Sequence, residues 1–174
     1  MVKEKQDNIV LIGMMGTGKT TVGARLAEET GYPLVDLDAL ISEKAGCPIP
    51  QLFAERGEPY FRDLEAAVLK DVLAQEGIIL ATGGGAVLRE ENCREMAARG
   101  WVVALKATVE EIVSRVGEDP GRPLLAGGAR SRVEALLDQR RQAYDFAHVI
   151  IDTSGKSPEE VSAEILTHYR GSSN

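Results

Sequence analysis

The sequence predicts an α/β protein built on a parallel β-sheet with helices on both faces. Three observations predict it. Five short apolar, β-branched runs recur along the 174 residues. Helical patterns separate them, which is what crossover connections between parallel strands require. The runs are apolar almost continuously rather than alternately, as strands buried on both faces are.

Composition sets the limits. A chain of 174 residues with 44% hydrophobic and 27% charged residues fits one folded domain, residues 1–174. A net charge of −7 and a pI near 5.0 argue against binding to nucleic acid or to a membrane surface. No apolar stretch approaches the roughly 20 residues of a membrane span. The start "MVKEKQDN" lacks the apolar segment of a signal peptide. Cys47 and Cys93 lack metal-ligand spacing and read as reduced thiols, so a cytoplasmic protein is expected. Arginine outnumbers lysine 13 to 7, and arginine suits bidentate binding of carboxylate or phosphate.

The first strand is "NIVLI" (8–12), and "GMMGTGKT" (13–20) follows it. That run matches the phosphate-binding pattern G-x-x-x-x-G-K-[ST], with a helical segment "TTVGARLAEET" after it. Gly13, Gly16 and Gly18 let the backbone turn its N–H groups inward, and the helix N-terminus adds positive charge. Lys19 would reach the outer phosphates and the Thr20 hydroxyl would ligate Mg²⁺. A nucleoside triphosphate with Mg²⁺ is therefore expected.

The second strand, "PLVDL" (33–37), carries Asp36, with Asp38 two residues on. In an extended strand the two acids share one side and face the crevice at the strand ends. Asp36 suits Mg²⁺, directly or through water. Asp38 suits a substrate hydroxyl, which it would orient for attack on the γ-phosphate. The competing reading makes Asp38 the cap of a helix "ALISEKAG".

A helix over "GEPYFRDLEAAVLKDVL" places Phe61, Leu64, Val68 and Val72 on one stripe, with Glu65 on it and Arg62 three residues earlier. A carboxylate there needs a partner. Glu65 either holds Arg62 toward an anionic substrate or belongs to a solvated surface pair. The third strand, "IILAT" (78–82), runs into Gly83, Gly84 and Gly85. Three glycines make sense where backbone approaches a ligand closely, and otherwise form a plain loop.

"WVVAL" (101–105) is the fourth strand. Thr108 and Glu111 in "TVEE" form a capping box for the next helix. The glycine- and proline-rich stretch 117–132 is long for a connection and reads as a mobile functional loop or a tolerated insertion. Arg122 inside it could swing over the γ-phosphate. In "SRVEALLDQRRQAY", Val133, Leu136, Arg140 and Tyr144 share one helical seam. Arg141 has Asp138 and Asp145 at i−3 and i+4, whereas Arg140 has no acid at helical spacing and is the better ligand for an anion. "HVIID" (148–152) is the last strand, and "SPEE" caps the last helix with Pro158 at its first position.

The set "GMMGTGKTTVG", "DLD", "FRDLE", "ATGGG" and "RPLL", in that order, closely resembles the shikimate kinase family from about residue 8 to 168. The resemblance implies a three-layer P-loop kinase fold with a five-stranded parallel sheet in the order 2-3-1-4-5. It implies a substrate-binding segment at about 38–66 and a mobile lid at about 117–130. It implies transfer of phosphate from ATP, with Mg²⁺, to the 3-hydroxyl of shikimate. ATP would be held by Gly13, Gly16, Thr17, Gly18, Lys19, Thr20 and Thr21, with Arg115 and Pro158 on the two faces of adenine and Arg122 in the lid. Lys19, Asp38 and Arg122 would be catalytic, and Thr20 and Asp36 would serve the metal. Shikimate would meet Asp38, Arg62, Glu65, Gly83, Gly84, Gly85 and Arg140. Aligning on Tyr144 selects Arg140, whereas aligning on Ala147 selects Gln139, and the helical seam favours Arg140. A monomer acting on small molecules is expected. The competing functions are a gluconate or nucleoside monophosphate kinase and a non-catalytic nucleotide-binding regulator. A guanine-specifying N-K-x-D is absent from the sequence.

Overall fold

The computed structural model describes residues 8–117 and 129–172. The five apolar runs form β1 (Ile9–Gly13), β2 (Leu34–Asp36), β3 (Ile79–Ala81), β4 (Trp101–Lys106) and β5 (Val149–Asp152). They make one parallel sheet in the order β2-β3-β1-β4-β5. β1 lies at the centre, so the loop after it opens between β3 and β4, where the strand order reverses. Ligands bind open α/β sheets at such a point.

Alternate residues of β1 feed two cores. Ile9 and Leu11 face α1 (Lys19–Thr30) and α8 (Pro158–Ser172), with Leu26, Val161 and Ile165. Val10 and Ile12 face the opposite core, which holds residues of α2 (Leu37–Ala45), α3 (Ile49–Arg56), α4 (Glu58–Leu73), α5 (Glu90–Arg99), α6 (Val109–Gly117) and α7 (Ala129–Gln139). All five residues of β1 are buried. The expected three layers and strand order are present.

A polar group stitches the end of the sheet away from the nucleotide loop. Asn8 is fully buried. Its amide donates to the carbonyls of Gln75 at 2.7 Å and Arg99 at 3.1 Å, and its side-chain oxygen accepts from Ile78 N at 3.1 Å. One side chain thereby joins the exits of α4 and α5 to the entry of β3. At the other edge, His148 Nδ1 accepts from Val102 N at 2.8 Å, doing the work of a backbone carbonyl.

Four sequence expectations need correction. The strand expected over 33–37 ends at Asp36, because Asp36 caps α2: its carboxylate accepts from Ala39 N at 3.1 Å. Asp38 therefore lies in the first turn of a helix, and the shared side of an extended strand does not relate the two acids. The helix carrying Arg140 stops at Gln139. Beyond it the backbone tightens into three-residue turns, with Ala143 N donating to the Arg140 carbonyl and Ala147 N to that of Tyr144. The box at Thr108 is half formed: Glu111 N donates to Thr108 Oγ1 at 3.2 Å, but Thr108 N donates to Ser154 Oγ. The loop expected over 117–132 is shorter at both ends, since Gly117 closes α6 and Ala129 opens α7. Arg122 and residues 118–128 of the expected lid lie outside the described residues. The box at Ser157 is complete, with Glu160 N donating to Ser157 Oγ at 3.1 Å and Ser157 N to Glu160 Oε1 at 3.4 Å.

Replacing Asn8 by Leu strands one buried donor and two carbonyls, and each such loss costs on the order of 1 kcal/mol or more. Asn8→Leu should lower unfolding stability by about 3 kcal/mol in urea titration. A midpoint within experimental scatter of the parent would show that water replaces the amide.

Candidate active site

The phosphate loop is shaped by its glycines and leaves its helix uncapped. A side chain at Gly13 (φ 144°) would collide with the Leu105 carbonyl of the neighbouring strand. Gly18 (φ 95°) precedes α1 in the left-handed conformation, and no side chain caps that helix. No acid occupies its first turn, so the positive helix end is not neutralised from within. The Lys19 ammonium donates to the carbonyls of Gly13 and Met14. Thr17 turns inward and donates from Oγ1 to the Met14 carbonyl at 2.7 Å. Thr20 and Thr21, in the first turn of α1, are exposed.

Beside this loop lies the arrangement that organises the cleft. Three successive glycines face three separate side chains. A Cβ on Gly83 would lie 2.7 Å from Asp38 Oδ1, one on Gly84 3.0 Å from Arg140 Nη1, and one on Gly85 2.6 Å from Arg62 Nη1. The bare backbone is what lets one carboxylate and two guanidiniums converge there. A plain loop would not need it. Asp38 sits in the first turn of α2, and its carboxylate faces the Gly83 backbone.

Arg62 is held by Glu65. Arg62 Nη1 donates to Glu65 Oε1 at 2.9 Å, and the two side chains are 17% and 1% exposed. This is a buried carboxylate with a partly buried partner, so the solvated surface pair is excluded. Burial raises the Glu65 pKa above the ordinary value, and the adjacent Arg62 charge and hydrogen bond partly offset the rise. Asp38 pushes it further up and Arg89 lowers it slightly. Arg62 also approaches Glu58 at 3.5 Å, nearer solvent.

Arg140 and Arg141 divide as expected. Arg141 pairs with Asp138 in solvent, its side chain 76% exposed. Arg140 turns inward, with Nη1 3.8 Å from Met14 Sδ of the phosphate loop. Tyr144, which the sequence placed on the helical seam without a hydrogen-bonding role, donates its hydroxyl to the Gly84 carbonyl at 3.2 Å. Burial raises its phenol pKa, and Arg140 partly offsets that. Tyr144 thus ties the glycine segment to the turn carrying Arg140. A buried tyrosine needing a partner for its hydroxyl was the signal available. Arg140 lines a cavity of about 210 Å³ together with Met14, Thr17, Leu105, Ile112 and Tyr144 among others.

The residues expected to serve a metal also meet. Thr20 Oγ1 donates to Asp36 Oδ2 at 3.5 Å, while Asp36 Oδ1 holds the cap of α2. A hydroxyl and a carboxylate beside a phosphate loop are the donors that Mg²⁺ selects when phosphate and water complete its shell. Among the described residues no group of three or more His, Cys, Asp or Glu could hold a metal unaided. On the far side of the loop, Arg115 in the last turn of α6 donates to the Gly16 carbonyl at 2.9 Å. Pro158 opens α8 beyond β5. No helix among the described residues is long and apolar enough to cross a membrane.

Comparison with known proteins gives a consistent result. The family model for shikimate kinase matches residues 15–170. A shikimate kinase of Geobacter metallireducens is 45% identical, over 94% of this chain and 92% of that protein. The structure of a shikimate kinase from Acinetobacter baumannii, solved in complex with shikimate, superposes with a TM-score of 0.91 at 37% identity, covering 97% of this chain and 96% of that one. A gluconokinase from Sinorhizobium meliloti, at 20% identity and a TM-score of 0.62, shares the fold alone.

Because the folded-state pKa of Glu65 is raised, its contribution to stability is most favourable below the unfolded-state value and is lost as pH rises through the folded-state value. Glu65→Gln mimics the protonated form at every pH. Its stability relative to the parent should therefore increase as pH rises from about 4 toward 7. A pH-independent difference in denaturant titrations would show that Glu65 titrates as an ordinary glutamate.

Proposed function

The chain belongs to the shikimate kinase family, and from that premise we propose that it transfers the γ-phosphoryl group of ATP to the 3-hydroxyl of shikimate on the glycine segment 83–85. The observation that carries this is the convergence of Asp38, Arg140 and Arg62 on three consecutive glycines beside the phosphate loop. A small cyclohexene ring can lie closely against bare backbone. Two guanidiniums from different elements can receive its carboxylate from two directions, and the Asp38 carboxylate faces the same backbone, where a ring hydroxyl would meet it.

In this reading the segment from Asp38 to about residue 66 binds the acceptor. Arg62 and Arg140 fix the shikimate carboxylate, and Glu65 keeps Arg62 aimed. Asp38 accepts the hydrogen bond of the 3-hydroxyl and takes its proton as the oxygen forms its bond to phosphorus. The bond from phosphorus to the bridging oxygen of ADP breaks in line with it. Lys19 exchanges the loop carbonyls for the outer phosphates, and the N–H groups of Gly16, Gly18 and Thr20 cradle them. Thr20 and Asp36 would hold Mg²⁺, which when bound neutralises phosphate charge. Arg115 and Pro158 take the adenine. Arg122, in the lid assigned to about 117–130, offsets charge developing at the γ-phosphate. The acidic balance and reduced thiols support a cytoplasmic setting.

With MgATP, ADP release should saturate with shikimate and not with gluconate. Turnover on gluconate alone would overturn the assignment. Asp38→Asn should lower kcat by at least about 10²-fold with ATP affinity little changed, and near-normal turnover would reduce Asp38 to a helix residue. Arg140→Ala should raise KM for shikimate about tenfold or more, the cost of a lost charged hydrogen bond, whereas Arg141→Ala stays within about twofold. The opposite ranking would assign the carboxylate to Arg141.

A further inference from the structure

Asp38 and the glycine segment follow β2 and β3, on one side of β1, and the phosphate loop follows β1 itself. The remainder of a nucleotide must therefore extend toward β4 and β5. Three segments bound that side, and they meet at one carboxylate–guanidinium pair, Glu111 and Arg115. Glu111 is in the first turn of α6. Its Oε1 accepts from Gly155 N at 2.7 Å, in the loop between β5 and α8, and its Oε2 accepts from Arg115 Nη2 at 2.6 Å. The other end of Arg115 donates to the Gly16 carbonyl of the phosphate loop at 2.9 Å. The loop after β5 is also joined to the start of α6 by Thr108 N donating to Ser154 Oγ at 2.9 Å.

An exposed Glu–Arg pair one helical turn apart contributes little by itself. This one differs because, besides the bond between them, the second carboxylate oxygen is engaged by the loop after β5 and the second guanidinium nitrogen by the phosphate loop. Gly155 sits in the left-handed conformation (φ 70°), so its N–H is aimed by backbone only glycine adopts readily. The half-formed capping box has the same explanation: Glu111 does not return to the backbone of Thr108 because its oxygens are used here.

We propose that Glu111 is a positioning residue for the base end of the nucleotide. It sets Arg115 and the loop at 153–157 in one geometry before the base arrives, which removes the cost of ordering them on binding. The inference rests on the reading of the phosphate loop as the ATP site, and it concerns the nucleoside rather than the phosphates. ADP and inorganic tripolyphosphate, titrated calorimetrically into the full-length chain, therefore test it.

Glu111→Ala should weaken ADP binding at least about fivefold and leave tripolyphosphate within about twofold. In turnover, KM for ATP should rise by a similar factor with kcat within about twofold, because the reacting groups are untouched. Glu111→Gln keeps one acceptor oxygen and should fall between the parent and Glu111→Ala. Unchanged ADP affinity in Glu111→Ala overturns the proposal. So does equal loss for ADP and tripolyphosphate, which would make Glu111 a support of the phosphate loop alone. If Glu111→Ala fails to fold, the same two criteria are applied to Glu111→Gln. Absence of shikimate phosphorylation by the parent enzyme would sink the proposed reaction, and ADP titration would still decide the role of Glu111.

Discussion

A stretch of backbone without side chains is the constraint around which the cleft is built. Gly83, Gly84 and Gly85 follow the short strand β3, and each lies against a different polar group. Any Cβ there would displace Asp38, Arg140 or Arg62. Those residues come from three places: the start of α2, the turn after α7 and the first half of α4. The strand order makes their meeting possible. β3 lies between β2 and β1, so the loop after it sits between the acid introduced by β2 and the phosphate loop introduced by β1.

The charges in this cleft are supported from beneath. Glu65 occupies a core-facing position of α4 between Phe61 and Val68, where a carboxylate is costly unless a cation answers it. Arg62 answers it and is thereby fixed. Tyr144 supplies a neutral counterpart on the other side by anchoring Gly84. Neither support needs to touch a ligand. Both restrict long side chains or bare backbone that would otherwise lose freedom when a ligand binds.

Much of this was legible in the sequence, for identifiable reasons. The phosphate loop is a local motif whose glycines, lysine and threonine act within eight residues. The buried Glu65 was visible because a charge interrupts an apolar stripe. Arg140 separated from Arg141 by the acids around it. What failed were boundaries and long-range partners. "LVDLDAL" fits a strand end or a capped helix start equally well, and the Ala39 N–H decided for the helix at Asp36. The stretch after Gln139 carries no glycine or proline before β5, so nothing local announces the helix end. The inward reach of Arg140 and Tyr144 overrides propensity there. Asn8, Tyr144 and Glu111 act on partners tens of residues away, and no spacing rule reveals such pairs.

The shared carboxylate of Asp36 has a mechanical meaning. One of its oxygens fastens the first turn of α2, and the other leans toward Thr20 at the head of α1. Asp38 is carried by the turn so fastened. The head of the helix behind the phosphate loop and the turn that presents Asp38 therefore share one carboxylate as their common footing.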